Sequence, residues 1–291
     1  MSELGGIDWS TVTLSEGRHA RGAQPPAMNI MEAHTVRRGQ AWSDAPADVS
    51  PVVRLFCLTW QDTPDVPDGS AIRAELLRRE LVGQFDDTRA SILRERHRAL
   101  MTLDWLIRTY TVAWLRLAPA PALVAQAARL ASVPPLMQFG SDLGAIEEVV
   151  YDARDAAYDT EAYDAPGVVD RQAAWTAEKA AVRSAVDEVV WTAERTAAGK
   201  AAARAAGERA EAAANASLEA SWIAAVYVAR AATRIAAGPE PTAAEAAARA
   251  ALQPTVKRLQ ASAWALLDRL CAPGEREAAP VEPLEEDAGE A

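Results

Sequence analysis

Few side chains in this sequence stand where they could do chemistry. The histidines are His19, His34 and His97. None has a second histidine, a cysteine or a serine at a spacing that marks a metal-ligand set or a nucleophile–base pair. His34 lies three residues after Met31 and two after Glu32 on a short apolar segment, which points to a capping or packing role. His97, among arginines, is expected on the surface. Glu148, Asp152, Asp155 and Asp159 fall at i, i+4, i+7 and i+11, so a helix would align these carboxylates on one face, where a divalent cation could sit. That face points away from Val150, Ala153 and Ala157, and a solvated helix exterior explains it without a metal. Asp104 and Arg108, four apart, make an intrahelical ion pair. There is no glycine-rich phosphate loop, no G-x-S-x-G elbow and no zinc signature, so the expectation is no metal and no cofactor.

Composition narrows the field further. The 291 residues carry a formal net charge of −11, which argues against a protein that holds nucleic acid by neutralising phosphates. The clearest basic cluster, Arg89 to Arg98, has acids beside it and no interleaved aromatic residues. Cys57 and Cys271 lie in apolar stretches without a motif partner and read as reduced, buried thiols. The start of the chain lacks the basic and apolar regions of a signal peptide, and no apolar run is long enough to span a bilayer. A cytoplasmic protein without membrane or nucleic-acid partners is expected.

The elements that must position these residues are helices. Val12 and Leu14 alternate with Thr11 and Thr13, which leaves room for one short N-terminal β element. A short helix follows Pro25-Pro26, carries Met28, Ile30 and Met31, and ends at Gly39. Ser50-Pro51 opens a helix with Val52, Leu55, Phe56, Thr59 and Trp60 on one face. Pro64, Pro67 and Gly69 make a loop, after which Ser70 caps a helix to Leu81 with Ile72, Leu76 and Leu77 inward. A longer helix runs from Thr88 to about Leu117 with Ile92, Leu93, Leu100, Leu103, Leu106, Ile107, Tyr110 and Trp114. Trp105 and Trp114 are about half a turn out of phase, so both are buried only if this helix is surrounded. A small helix spans Leu123 to Leu130, stopped by Pro134-Pro135.

The second half is richer in alanine. Ser141-Asp142 opens a helix with Leu143, Ile146, Val150, Ala153 and Ala157 on one face, closed by Pro166-Gly167. Val168 to Ala237 holds no proline and has strong helix propensity. Within it, Trp175-Thr176-Ala177-Glu178 echoes Trp191-Thr192-Ala193-Glu194. Thr242 to Glu245 reads as a capping box, and Pro254 is expected to kink or restart the helix that follows. Val256, Leu259, Ala263, Leu266, Leu267 and Leu270 form the last apolar face. The expected organisation is all-α: a Trp/Leu-rich module over residues 1–136, an array of long Ala-rich helices over 137–272, and an acidic disordered tail over 273–291.

Three segments stand out: Asn29-Ile30-Met31-Glu32-Ala33 leading into Ser43-Asp44-Ala45-Pro46-Ala47-Asp48-Val49-Ser50-Pro51-Val52; Asp104-Trp105-Leu106-Ile107-Arg108-Thr109-Tyr110-Thr111 through Leu115; and Leu252-Gln253-Pro254-Thr255-Val256 through Leu270. Together they resemble a group of uncharacterised proteins from actinobacteria and their phages. The resemblance implies no activity. It does imply a departure, because cysteine commonly stands in that group where this chain has Asn29 and Asp48, and histidine where it has Ala45.

Two functions fit these observations. One is a non-enzymatic interaction or structural protein that meets a protein partner, or a second copy of itself, along its Ala-rich helices. The other is a small-molecule binder or enzyme with a pocket between the Met28–Trp60 segment and the Asp104–Trp114 helix, lined by Glu32, Asp44, Asp48, Asp104 and Arg108.

Overall fold

The computed structural model describes residues 7–15, 17–19, 28–61, 69–118, 120–136, 143–159, 200–235 and 241–272. The described residues form an all-α protein without a strand. Val12 and Leu14 are buried and Thr11 and Thr13 exposed, as the alternation requires. Among the described residues the segment nevertheless makes one isolated parallel bridge, from Leu14 to Met28, in place of the short β element. The Trp175/Trp191 echo and the acidic tail lie outside the described residues.

Helix α1 (Ile30–Arg37) is short and buried along nearly its whole length. Helices α2 (Pro51–Gln61) and α3 (Gly69–Leu81) pack on it and on each other. In α2, Ser50 Oγ accepts from Val53 N at 3.3 Å, so the Ser-Pro start is a working N-cap. Its inward face is Val52, Val53, Phe56, Cys57 and Trp60, with Leu55 only half-buried. In α3, Ile72, Leu76 and Leu77 all face the core. One apolar expectation fails: Leu93, at the start of α4 (Ile92–Trp105), is 78% exposed.

Helix α4 continues into a π-helical turn over Leu106–Thr111 and then α5 (Val112–Leu117), so the expected long helix is one rod with a widened middle. At that turn Thr111 Oγ1 donates to Leu106 O, five residues back, at 3.0 Å, and Ser221 Oγ donates to Thr111 Oγ1 at 3.1 Å. Such widened turns persist where neighbours supply the bonds that the regular ladder loses. The rod is surrounded by α2, by α6 (Pro121–Ser132) and by the two long helices α8 (Lys200–Ile235) and α9 (Pro241–Cys271). Trp105 and Trp114 are therefore both buried, and Trp105 Nε1 donates to Ser262 Oγ of α9 at 2.6 Å.

Helix α7 (Leu143–Tyr158) lies against α8 with Ile146, Val150, Ala153 and Ala157 inward. Ala210, Ala213, Ala214, Ser217, Ala220, Ser221 and Ala224 form the buried side of α8. Small side chains there let α7, α9 and the central rod approach closely, each contact burying little area. Helix α9 begins at Pro241, with Thr242 already inside it, and runs through Pro254 as one helix. Leu259, Ala263, Leu266, Leu267 and Leu270 join the same buried cluster as Val12 and Phe56, so one contiguous core links the two halves of the chain. No helix among the described residues is long and apolar enough to cross a membrane.

Candidate functional site

Because α1 is enclosed, each polar group on it needs a partner inside the protein. Asn29 caps the helix: its Oδ1 accepts from Met31 N and Glu32 N at 2.9 Å each, while Glu32 Oε2 accepts from Asn29 N at 2.8 Å. This reciprocal capping box starts α1, and Gly39, at φ +67, turns the chain away after its end. The two chemically able side chains of α1, Glu32 and His34, point to different surroundings.

Glu32 faces the segment that precedes α1. Its Oε1 accepts from His19 N at 2.8 Å, and its Oε2 lies 2.9 Å from His19 Nδ1. The opposite ring nitrogen, His19 Nε2, is 3.1 Å from Ser15 Oγ. The Glu32 carboxylate can only accept, so His19 Nδ1 carries a proton and donates to it, and Nε2 lies within hydrogen-bond reach of the serine hydroxyl. The segment is held at several points. Ser15 N donates to Met28 O at 3.0 Å, and Gln61 Nε2 to Ser15 O at 2.8 Å. Asn29 Nδ2 donates to Gly17 O, and Trp42 Nε1 to His19 O, both at 3.0 Å. Gly17, at φ +78, folds the chain back so that residues four apart can meet. Burial is graded: the Glu32 side chain is 0% exposed and that of His19 17%, with Ser15 only half-buried.

His34 faces the other way. Its Nδ1 is 3.0 Å from Glu80 Oε2 on α3 and its Nε2 is 3.1 Å from Asp48 Oδ2 on the loop before α2. Arg37 binds both Glu80 and Asp86, and Arg38 Nε lies 3.5 Å from Asp48. With a carboxylate at each ring nitrogen, both nitrogens must donate, so the ring is an imidazolium. Burial alone would depress the His34 pKa, but the hydrogen bonds and charges of Glu80 and Asp48 outweigh it and hold it above its ordinary value. Asp48 is held below its ordinary range: burial opposes this, and hydrogen bonds from Gln40 and His34 prevail. His34, Glu80 and Asp86 place ligand atoms within 4.8 Å of one another, but an imidazolium has no lone pair to give a metal. Arg37 already supplies positive charge to both carboxylates.

The sequence-derived candidates thus fall into separate groups. Glu32 meets His19; Asp48 meets His34; Asp44 lies 3.5 Å from Arg18. All three belong to α1 and the segments beside it. Asp104 and Arg108 make the expected ion pair at 3.2 Å, and Asp104 Oδ1 accepts from Leu136 N at 2.9 Å, on the central rod. Asp152 pairs with Arg129 at 2.8 Å on the exposed face of α7. In the Arg89 to Arg98 cluster, Arg98 is buried on Glu95 at 2.9 Å and Thr88 O at 2.7 Å. His97 is half-buried. Both thiols are free, and burial pushes Cys57 well up and Cys271 to about 12, so neither is a reactive thiolate.

Spacing gave no sign of one contact: Ser15, four residues before His19 and at no recognised motif spacing, meets its ring across a glycine turn. Glu80 was not foreseen either. The Asn29-x-x-Glu32 capping signature was the available signal, because it turns the Glu32 carboxylate back toward the chain that enters α1. Comparison of the chain with protein-family models, curated proteins and solved structures finds no match in any of the three.

Proposed function

We propose that this helical protein acts on a small organic molecule at a polar site formed by Ser15, His19 and Glu32 at the entrance to α1. The observation that carries this reading is the buried Glu32 carboxylate, which accepts N–H bonds from Asn29 and His19 and thereby orients a partly exposed imidazole. A buried charge adds little to the stability of a helical core compared with an apolar residue, whereas a buried acid that orients a partly exposed histidine suits a reactive site. The alternative, recruitment of a partner along the Ala-rich helices, has less in its favour. The small-residue side of α8 is already covered by α7 and α9, and among the residues whose burial is described the large exposed apolar ones, Leu81, Val82, Leu93 and Val124, are not on α8 or α9.

The test follows the His19 imidazole resonances, assigned with His19→Gln, while a library of small polar organic fragments is added to the full chain. The reading expects chemically related fragments that shift His19 saturably at millimolar concentration or below. If no fragment moves His19, the reading is wrong.

A further inference from the structure

We infer that Ser15 is a nucleophile and that the site cleaves small carboxylic esters by acyl transfer; this rests on the functional reading above. The geometry contains the hydroxyl, imidazole and carboxylate that such chemistry needs in their working order. Ser15 Oγ is 3.1 Å from His19 Nε2, within hydrogen-bond reach of a general base. His19 Nδ1 is 2.9 Å from Glu32 Oε2, and a second Glu32 oxygen binds the backbone N–H of His19, so ring and main chain are fixed by one carboxylate. The order of exposure matches the roles: the acid is sealed in, the base is partly exposed, and the nucleophile is half-buried.

The step balances without a cofactor. Ser15 Oγ attacks the ester carbonyl carbon as its proton passes to His19 Nε2. The tetrahedral adduct collapses, the bond to the alkoxy oxygen breaks, and the proton on Nε2 leaves with the alcohol. Water, deprotonated by the same nitrogen, then attacks the acyl-Ser15 carbonyl, which releases the carboxylic acid and restores the hydroxyl. Glu32 is a positioning residue that keeps Nε2 free to accept and balances the imidazolium formed in each half-reaction. The half-buried Trp42 ring, tied through Nε1 to His19 O at 3.0 Å, supplies apolar surface beside the base.

The full chain is treated with a fluorophosphonate probe and, separately, with p-nitrophenyl acetate. The expected results are a single adduct mapped by peptide mass to Ser15 and a burst of p-nitrophenol stoichiometric with protein. Ser15→Ala should lose the adduct and at least about 100-fold of the turnover with its circular dichroism unchanged. Ser10→Ala, at an exposed serine bonded to Asp8, should retain both. The adduct is read on the wild-type chain, so the test survives a misfolded variant. A folded chain with no adduct at Ser15, or an adduct that persists in Ser15→Ala, overturns the proposal. The inert amide 4-nitroacetanilide separates the two readings. A saturable His19 shift without any Ser15 adduct overturns acyl transfer and leaves the binding site standing, and neither shift nor adduct removes both.

Discussion

His34 Nδ1 lies 3.0 Å from Glu80 Oε2 with both side chains fully buried, and this contact ties α1 to α3 through a charge pair inside the protein. Asp48, on the opposite ring nitrogen, draws the loop before α2 into the same knot. Replacement of His34 by leucine would leave two carboxylates facing an apolar group. A loss of about 3–5 kcal/mol in urea unfolding is expected, the range seen when one partner of a buried ion pair is removed.

The same knot sets a pH dependence. The folded His34 pKa is raised, so its contribution to stability is complete below its unfolded value near 6.5 and is lost as pH rises through the folded value. The groups that face the ring are Glu80, Asp48 and Asp86, with Arg37 and Arg38 behind them. Urea midpoints should therefore fall as pH climbs above 6.5 in the wild type, and His34→Leu should flatten that slope. A wild-type midpoint that rises over this range would contradict the imidazolium assignment.

Asn29 caps α1 and also holds Gly17 O. Asn29→Ala should cost about 0.5–2 kcal/mol, the usual value of an N-cap side chain. Because Glu32 would lose only its neighbour's cap and not its own bonds to His19, the His19 imidazole resonances should stay dispersed.

Trp105 and Ser262 join the central rod to α9 through one hydrogen bond of 2.6 Å in a buried setting. Trp105→Phe removes the donor and leaves the Ser262 hydroxyl to find another partner. A loss of about 1–3 kcal/mol from the orphaned group is expected, plus a smaller packing loss, measured by thermal unfolding.

Pro254 is exposed inside α9 and has no N–H to give to the helix ladder. Pro254→Ala should raise stability by up to about 3 kcal/mol, since alanine restores the bond and relieves the ring's clash with the preceding turn. A destabilised variant would mean that the ring packs usefully at this site.

Local pattern was enough for much of the fold. The inward faces of α3 and α7 follow from apolar spacing alone, as does the Ser-Pro start of α2, because these signals act within a few residues. Leu93 misled because a helix end can carry an apolar residue past the edge of the core. The widened turn at Leu106–Thr111 was invisible because its support comes in part from Ser221, more than a hundred residues away. The continuity of α9 through Pro254 was equally hidden, since packing along the rest of the helix outweighs one missing bond.

The sequence by itself determined an all-α protein and the inward faces of helices such as α3 and α7, because periodicity and caps are local properties of a chain. Only the tertiary structure decided what Glu32 and Asp48 meet. Glu32 reaches His19 and Ser15 through a glycine turn, and Asp48 reaches His34 from the loop before α2, with Glu80 arriving from α3. Buried polar groups choose partners by enclosure rather than by spacing, so the enclosure of α1 is what turned scattered acids and histidines into sites.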